Sequence, residues 1–153
     1  MNFESFVKVF SSYSPEKIVF VGLGNELRGD DAAGLFFLER LKVKPEFCKS
    51  NFIIAGTNPE NYLQKILDSG ADVVVFIDAA RSGAKPGTIG WIDTEKVVSV
   101  NISTHAFSVK MVEEFLEKYH PFKFMYLGIE PLTTKLGENV SSEILKNIDN
   151  FFT

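Results

Sequence analysis

Apolar positions along the chain switch between two periods, and the switches mark out its elements. Phe3, Phe6, Val7 and Phe10 recur three or four residues apart after Asn2, which predicts a short amphipathic helix ahead of everything else. Apolar runs at 17–22, 52–55, 73–78, 88–92 and 123–128 predict strands, and three of them are continuous, as in a sheet covered on both faces. Between and after them, helical spacing spans 30–41, 59–67, 104–119 and 141–152. Punctuation agrees with these limits. Thr57 with Glu60 forms a candidate capping box, Asn58 is an alternative cap with Pro59 in the first turn, and Pro121 follows the third of these helices. The alternation predicts an α/β fold, a three-layer α-β-α sandwich on a mostly parallel sheet of about five strands.

Length adds that one hydrophobic core suffices, so a single domain over 1–153 is expected, with 1–16 as an extra N-terminal helix. Composition removes several classes of function. With 45% hydrophobic residues, 15 Phe and 16 basic against 20 acidic residues, the chain is neither disordered nor basic enough to follow a phosphate backbone. No nucleic-acid partner is expected. Lone Cys48 excludes an internal disulfide and a cysteine-rich zinc site, and no apolar run approaches the ~20 residues of a membrane span. Without a basic-then-apolar leader, the expected compartment is the cytoplasm, with no membrane contact.

The segment from Ile18 to Gly34 carries the strongest chemical signal. An apolar strand runs into Gly22-Leu23-Gly24-Asn25, and a helix then begins with the adjacent carboxylates Asp30 and Asp31. Parallel sheets place their chemistry at the C-terminal ends of the strands. Two more residues should reach that edge: Asp78, which ends Val73-Val74-Val75-Phe76-Ile77-Asp78, and His105, near the start of the helix after Ser103-Thr104. A carboxylate directly behind five apolar residues sits at the border of the core, where an unpaired charge is costly and a partner is called for. Neighbouring helix residues diverge, so of Asp30 and Asp31 one is expected to point into the edge and the other away. His120 closes a helix before Pro121, where an imidazolium suits the dipole; His105 opens one, which favours a neutral ring able to donate a lone pair. Two carboxylates and one imidazole suit a borderline divalent metal such as nickel, zinc, manganese or iron(II).

Five blocks in order then resemble the successive motifs of the hydrogenase maturation endopeptidases: Gly24-Asn25-Glu26-Leu27-Arg28-Gly29-Asp30-Asp31, Gly56-Thr57-Asn58-Pro59-Glu60-Asn61, Ile77-Asp78-Ala79-Ala80 with Pro86-Gly87-Thr88, Ser103-Thr104-His105, and Leu127-Gly128-Ile129-Glu130-Pro131. The resemblance covers Ile18 to the end. It implies an enzyme that removes the C-terminal extension of a nickel-iron hydrogenase large-subunit precursor once nickel has been inserted. The family's nickel-sensing residues map onto Asp31, Asp78 and His105, with nickel carried by the substrate and Asp31 or Asp78 as the catalytic base. The same mapping makes Asn25, Gly56 and Thr57 candidate substrate contacts and implies a monomer. Aspartate at position 31, with Asn58-Pro59-Glu60-Asn61 and Leu127-Gly128-Ile129, resembles the branch that serves formate hydrogenlyase-type (hydrogenase 3) enzymes. Ala32 stands where the family commonly has glycine, a change that a helix start tolerates.

Three other readings compete. Gly22-Leu23-Gly24 resembles the opening of a dinucleotide fingerprint, but Leu27 occupies the third glycine position and Asp30 and Asp31 would repel a pyrophosphate. Val21-Gly22-Leu23-Gly24-Asn25 also resembles the opening of peptidyl-tRNA hydrolases, yet Glu26-Leu27 replaces their Pro-Gly and the charge is wrong for tRNA. Ser103, Thr104 or Cys48 as a nucleophile is disfavoured, because Ser and Thr before a helix are ordinary caps and Cys48 has no histidine near it in sequence.

Overall fold

The computed structural model describes residues 1–99 and 102–153. Its centre is a five-stranded sheet in the order β2-β1-β3-β5-β4, built from β1 Ile18–Leu23, β2 Asn51–Gly56, β3 Val73–Ala79, β4 Ile89–Ile92 and β5 Lys123–Ile129. Strands β2, β1, β3 and β5 run parallel, and β4 pairs antiparallel with β5, with Ile89 opposite Ile129. All five fall within a residue or two of the apolar runs in the sequence. β1 and β3 are buried along their whole length, which is why their sequences do not alternate.

Helices cover both faces. On one lie α1 Phe3–Val9, α2 Ala33–Leu41 and α6 Ser142–Phe151, which bury Phe6, Phe37, Leu38, Ile144, Ile148 and Phe151 against Phe20, Val75 and Leu127. On the other lie α3 Leu63–Asp68, α4 Thr94–Ser99 and α5 Ala106–Glu117, which bury Ile66, Val97, Val109, Val112 and Leu116 against Val21, Val74, Phe76 and Tyr126. Among the described residues, no helix is long and apolar enough to cross a membrane. Helix α1 is capped reciprocally by Asn2 and Ser5. It is packed rather than free: Phe6 is fully buried, lies 5.6 Å from Trp91 ring to ring at 6°, and contacts Phe20, Phe47 and Phe151 edge-on or stacked.

Three local differences from the sequence reading have physical causes. Residues Gly29–Ala32 form a 3-10 turn before α2, because Asp30 and Asp31 spend their side chains on loop amides rather than on a regular helix start. The Thr57–Glu60 capping box does not form. Asn58 and Pro59 do open a 3-10 turn, Pro59–Tyr62, and Asn58 instead accepts from Thr57 Oγ1 and donates to Glu60. Helix α4 has no counterpart in the sequence reading, since its Thr94-Glu95-Lys96-Val97 carries one buried side chain and β-branched residues; Asp93 Oδ1 starts it by accepting from Glu95 N at 3.0 Å.

This topology positions the site. The chain leaves β1 toward β2 on one side and returns to β3 on the other, so a crevice opens at the carboxyl ends of β1 and β3.

Candidate active site

Asp78 is the sixth residue of β3 and shares its face with Val74 and Phe76, so strand parity turns it toward α5. The carboxylate is fully buried and saturated with donors. Tyr126 Oη donates to Oδ2 at 2.6 Å, Ser103 Oγ donates to the same oxygen, and His105 Nδ1 lies 3.2 Å from both oxygens. Ser103 also accepts the backbone N–H of His105 at 3.0 Å, which fixes the turn leading into α5. Burial and the charge of Asp78 raise the Tyr126 hydroxyl well above its ordinary pKa, so it stays a proton donor.

His105 is the N-cap residue of α5 and is 6% exposed. With Nδ1 held by Asp78, its Nε2 faces outward, 4.0 Å from Oδ2 of Asp31. Burial alone would lower the His105 pKa, but the hydrogen bond and charge of Asp78, with the charge of Asp31, outweigh it and raise the pKa. The two carboxylates thus favour the protonated ring, against the pull of the helix start toward a neutral one.

Asp31 is held by Asn25, whose backbone N–H donates to Oδ2 at 2.9 Å. That contact depends on Gly24. Its φ of +147° suits only glycine, and a Cβ there would collide with the carbonyl of Asp31. Gly34 has the companion role, since a Cβ would come 2.8 Å from the carbonyl oxygen of Leu23 and push α2 off the sheet. Burial pushes the Asp31 carboxyl above the ordinary aspartate range, against the Asn25 amide and His105, which pull it down.

Asp30 does not point away from the fold as expected. Its carboxylate is fully buried and accepts from Leu132 N, Thr133 N, Ser141 N and Ser141 Oγ at 2.6–3.1 Å, tying the 132–141 loop to the turn. Both members of the acid pair thus face inward, toward different partners.

Asp31, Asp78 and His105 each offer a ligand atom within 4.8 Å of the others, and all three are buried. Above them lies a cavity of about 300 Å³, lined by Asn25, Arg28, Asp31, Thr57, Thr104, His105 and Thr134. Asp31 and His105 form its floor; Asp78 stands behind His105. Of the expected substrate contacts, Asn25 and Thr57 line the cavity, whereas Gly56 sits one residue back, where its carbonyl accepts from Gly24 N at 2.9 Å. Arg81 reaches the rim through a 3.2 Å bond to Thr134. Tyr126 and Arg81 went unread in the sequence. Tyr126 lay inside an apolar run, and only the pairing of Phe76 with Tyr126 in adjacent strands puts its hydroxyl beside Asp78.

The geometry also weighs the competing readings. The N–H groups of Gly24, Asn25, Leu27, Arg28, Gly29, Asp30 and Asp31 are all bonded within the protein, so the loop offers no amide cradle for a pyrophosphate. Ser103 is buried and committed to Asp78, while exposed Cys48 does not line the cavity.

Comparison with known proteins places the chain in a family. The HycI hydrogenase maturation protease family model matches residues 37–153. The hydrogenase 3 maturation protease of Escherichia coli K12 is 28% identical over 116 residues, 74% of this chain and 72% of that protein. Among solved structures, the NiFe hydrogenase maturation protease HycI of Thermococcus kodakarensis superposes with a TM-score of 0.79 at 31% identity, covering 95% of this chain and 92% of that one. The E. coli hydrogenase-maturating endopeptidase HybD, at 24% identity and a TM-score of 0.70 over 87% and 85% of the two chains, shares the fold. With more than two thirds of its length matched by the family model, this chain belongs to the hydrogenase maturation proteases.

Proposed function

We propose that this protease removes the C-terminal extension of a nickel-iron hydrogenase large-subunit precursor in the cytoplasm, and that it acts only on precursor already loaded with nickel. The observation that carries the reading is the layered trio: a cavity floor of Asp31 and His105, with Asp78 holding His105 from behind. Ligand atoms of the three residues lie within 4.8 Å of one another, and the two that line the cavity, a carboxylate oxygen of Asp31 and an imidazole nitrogen of His105, suit a borderline divalent ion. Nickel here is cargo of the substrate, and its capture on the floor seats the scissile peptide in the cavity.

Each residue then has one task. Asp31, with its carboxyl raised by burial, accepts the proton of the attacking water, since a base is more effective as its pKa rises toward the working pH. His105 presents Nε2 to the metal-bearing end of the substrate. Asp78 acts through His105, fixing the ring and its tautomer as carboxylates do behind ligating histidines. Asn25 and Thr57 flank the entering chain. Similarity to the hydrogenase 3 maturation protease of E. coli supports a precursor of the formate hydrogenlyase class.

Asp78→Asn tests the reading. The variant keeps the shape of the side chain but replaces one carboxylate oxygen with a donor facing Ser103, Tyr126 and His105. It is expected to stay folded and to leave a nickel-loaded precursor at its full mass. Processing at the wild-type rate would refute the role of Asp78.

A further inference from the structure

Eleven large apolar side chains stand exposed among the described residues, and seven of them belong to three segments that also line the active cavity. Scattered exposed apolar residues are ordinary; this concentration around one opening is not. The largest share lies on α5 and its final turn. Phe107, Met111, Phe115 and Tyr119 are 74%, 47%, 37% and 64% exposed and recur every four residues, with the rings of Phe115 and Tyr119 tilted at 40° and their centroids 5.1 Å apart. The opposite side of the same helix is already spent, since Val109, Val112 and Leu116 are buried against the sheet. Twelve residues at ~1.5 Å each make a row of roughly 18 Å. It begins two residues after His105, and Lys110, Glu114 and Lys118 edge it with mixed charge. Across the cavity Leu27, Leu132 and Leu136 are 67%, 49% and 61% exposed, on loops joined by a bond from Gly137 N to Leu27 O.

We infer that the outer face of α5 is the docking surface for the folded body of the large-subunit precursor, set so that its C-terminal tail crosses into the cavity between α5 and the leucine rim. The inference rests on the function proposed above and adds where the client sits. A tail alone does not account for the row, because an extended chain threading a 300 Å³ cavity has no need of a helix face leading roughly 18 Å away from it. An exposed apolar row with a charged border, leading from the cavity, has the anatomy of a protein interface.

The test is a binding titration of the intact protease with a nickel-loaded large-subunit precursor, paired with cleavage kinetics. Met111→Glu and Phe115→Glu are expected to raise Kd and KM about tenfold or more while leaving kcat near wild type. Met111→Ser and Phe115→Ser serve should either glutamate variant lose its cooperative melt, with the same shift in direction. Val43→Glu, on an exposed residue just beyond the far end of α2, is expected to change nothing. Unaltered precursor Kd in the α5 variants would overturn the docking face and leave the proposed function standing. Wild-type dimers that Phe115→Glu converts to monomers would assign the face to a second copy and overturn it equally. Failure of the wild type to bind or cleave any nickel-loaded precursor would overturn both.

Discussion

Tyr126→Phe isolates the least expected part of the site. The ring of Tyr126 is fully buried between strands, so phenylalanine preserves the packing and deletes one oxygen, the donor at 2.6 Å to Asp78 Oδ2. A hydrogen bond to a buried carboxylate contributes about 1.5–3 kcal/mol, and here the deletion leaves Oδ2 with Ser103 and the shared His105 contact. In a domain of this size each kcal/mol corresponds to about 2–4 °C, so the melting temperature should fall by about 3–12 °C. Because Ser103 and Tyr126 donate to the same oxygen, their effects should couple. The variant combining Tyr126→Phe with Ser103→Ala is expected to lose more than the sum of the single losses, since the carboxylate then keeps only His105 in a water-poor site. Urea denaturation followed by circular dichroism measures this directly, with unchanged m-values showing that only stability moved. A loss below about 0.5 kcal/mol for Tyr126→Phe, or strict additivity in the double variant, would refute the hydroxyl clamp.

Two further variants probe features outside the trio. Glu113 on α5 is buried, has an oxygen with no hydrogen-bond partner among the described residues, and is pushed up to about 7 by burial from an ordinary 4.5. The folded protein therefore holds a proton that the unfolded chain releases at lower pH. Stability should fall as pH rises from about 4.5 and reach its full penalty, on the order of 3 kcal/mol, above about 7. Glu113→Gln is expected to flatten that slope, matching wild type at about pH 4 and exceeding it at about pH 8 in denaturation curves; parallel profiles would exclude the effect. Asp30→Ala strands three loop amides and the Ser141 hydroxyl, so it should cost at least about 3 kcal/mol and speed amide exchange across 132–141 while α5 stays protected. Unchanged exchange in that loop would show that Asp30 does not tie it down.

How far the sequence could be read followed from where each residue's environment is decided. Val73 to Ile77 announces a buried strand because both faces of a parallel sheet are covered, a purely local signal. Asp78 and His105 stood out because an ionisable group at the end of such a run, or at the wrong end of a helix, conflicts with its neighbours. Pairing decided the rest. The hydroxyl of Tyr126 matters only because β5 lies beside β3, and Asp30 turns inward only because a loop 102 residues later offers it amides. The protonation tendency of His105 went the other way from the local expectation for the same reason: Asp31 and Asp78 are 74 and 27 residues away in the chain but adjacent in space. Helix α4, with Val97 as its one described buried side chain, carries too little periodicity to register.

Recognition of nickel held by the client, the role proposed above for Asp31, Asp78 and His105, makes cleavage depend on the metal content of the precursor. The most direct measurement is the intact mass of a large-subunit precursor after incubation with the wild-type protease, with nickel-loaded and nickel-free precursor in parallel. Loss of the C-terminal extension from the nickel-loaded form alone is the predicted result. Cleavage of both forms at equal rates would contradict it.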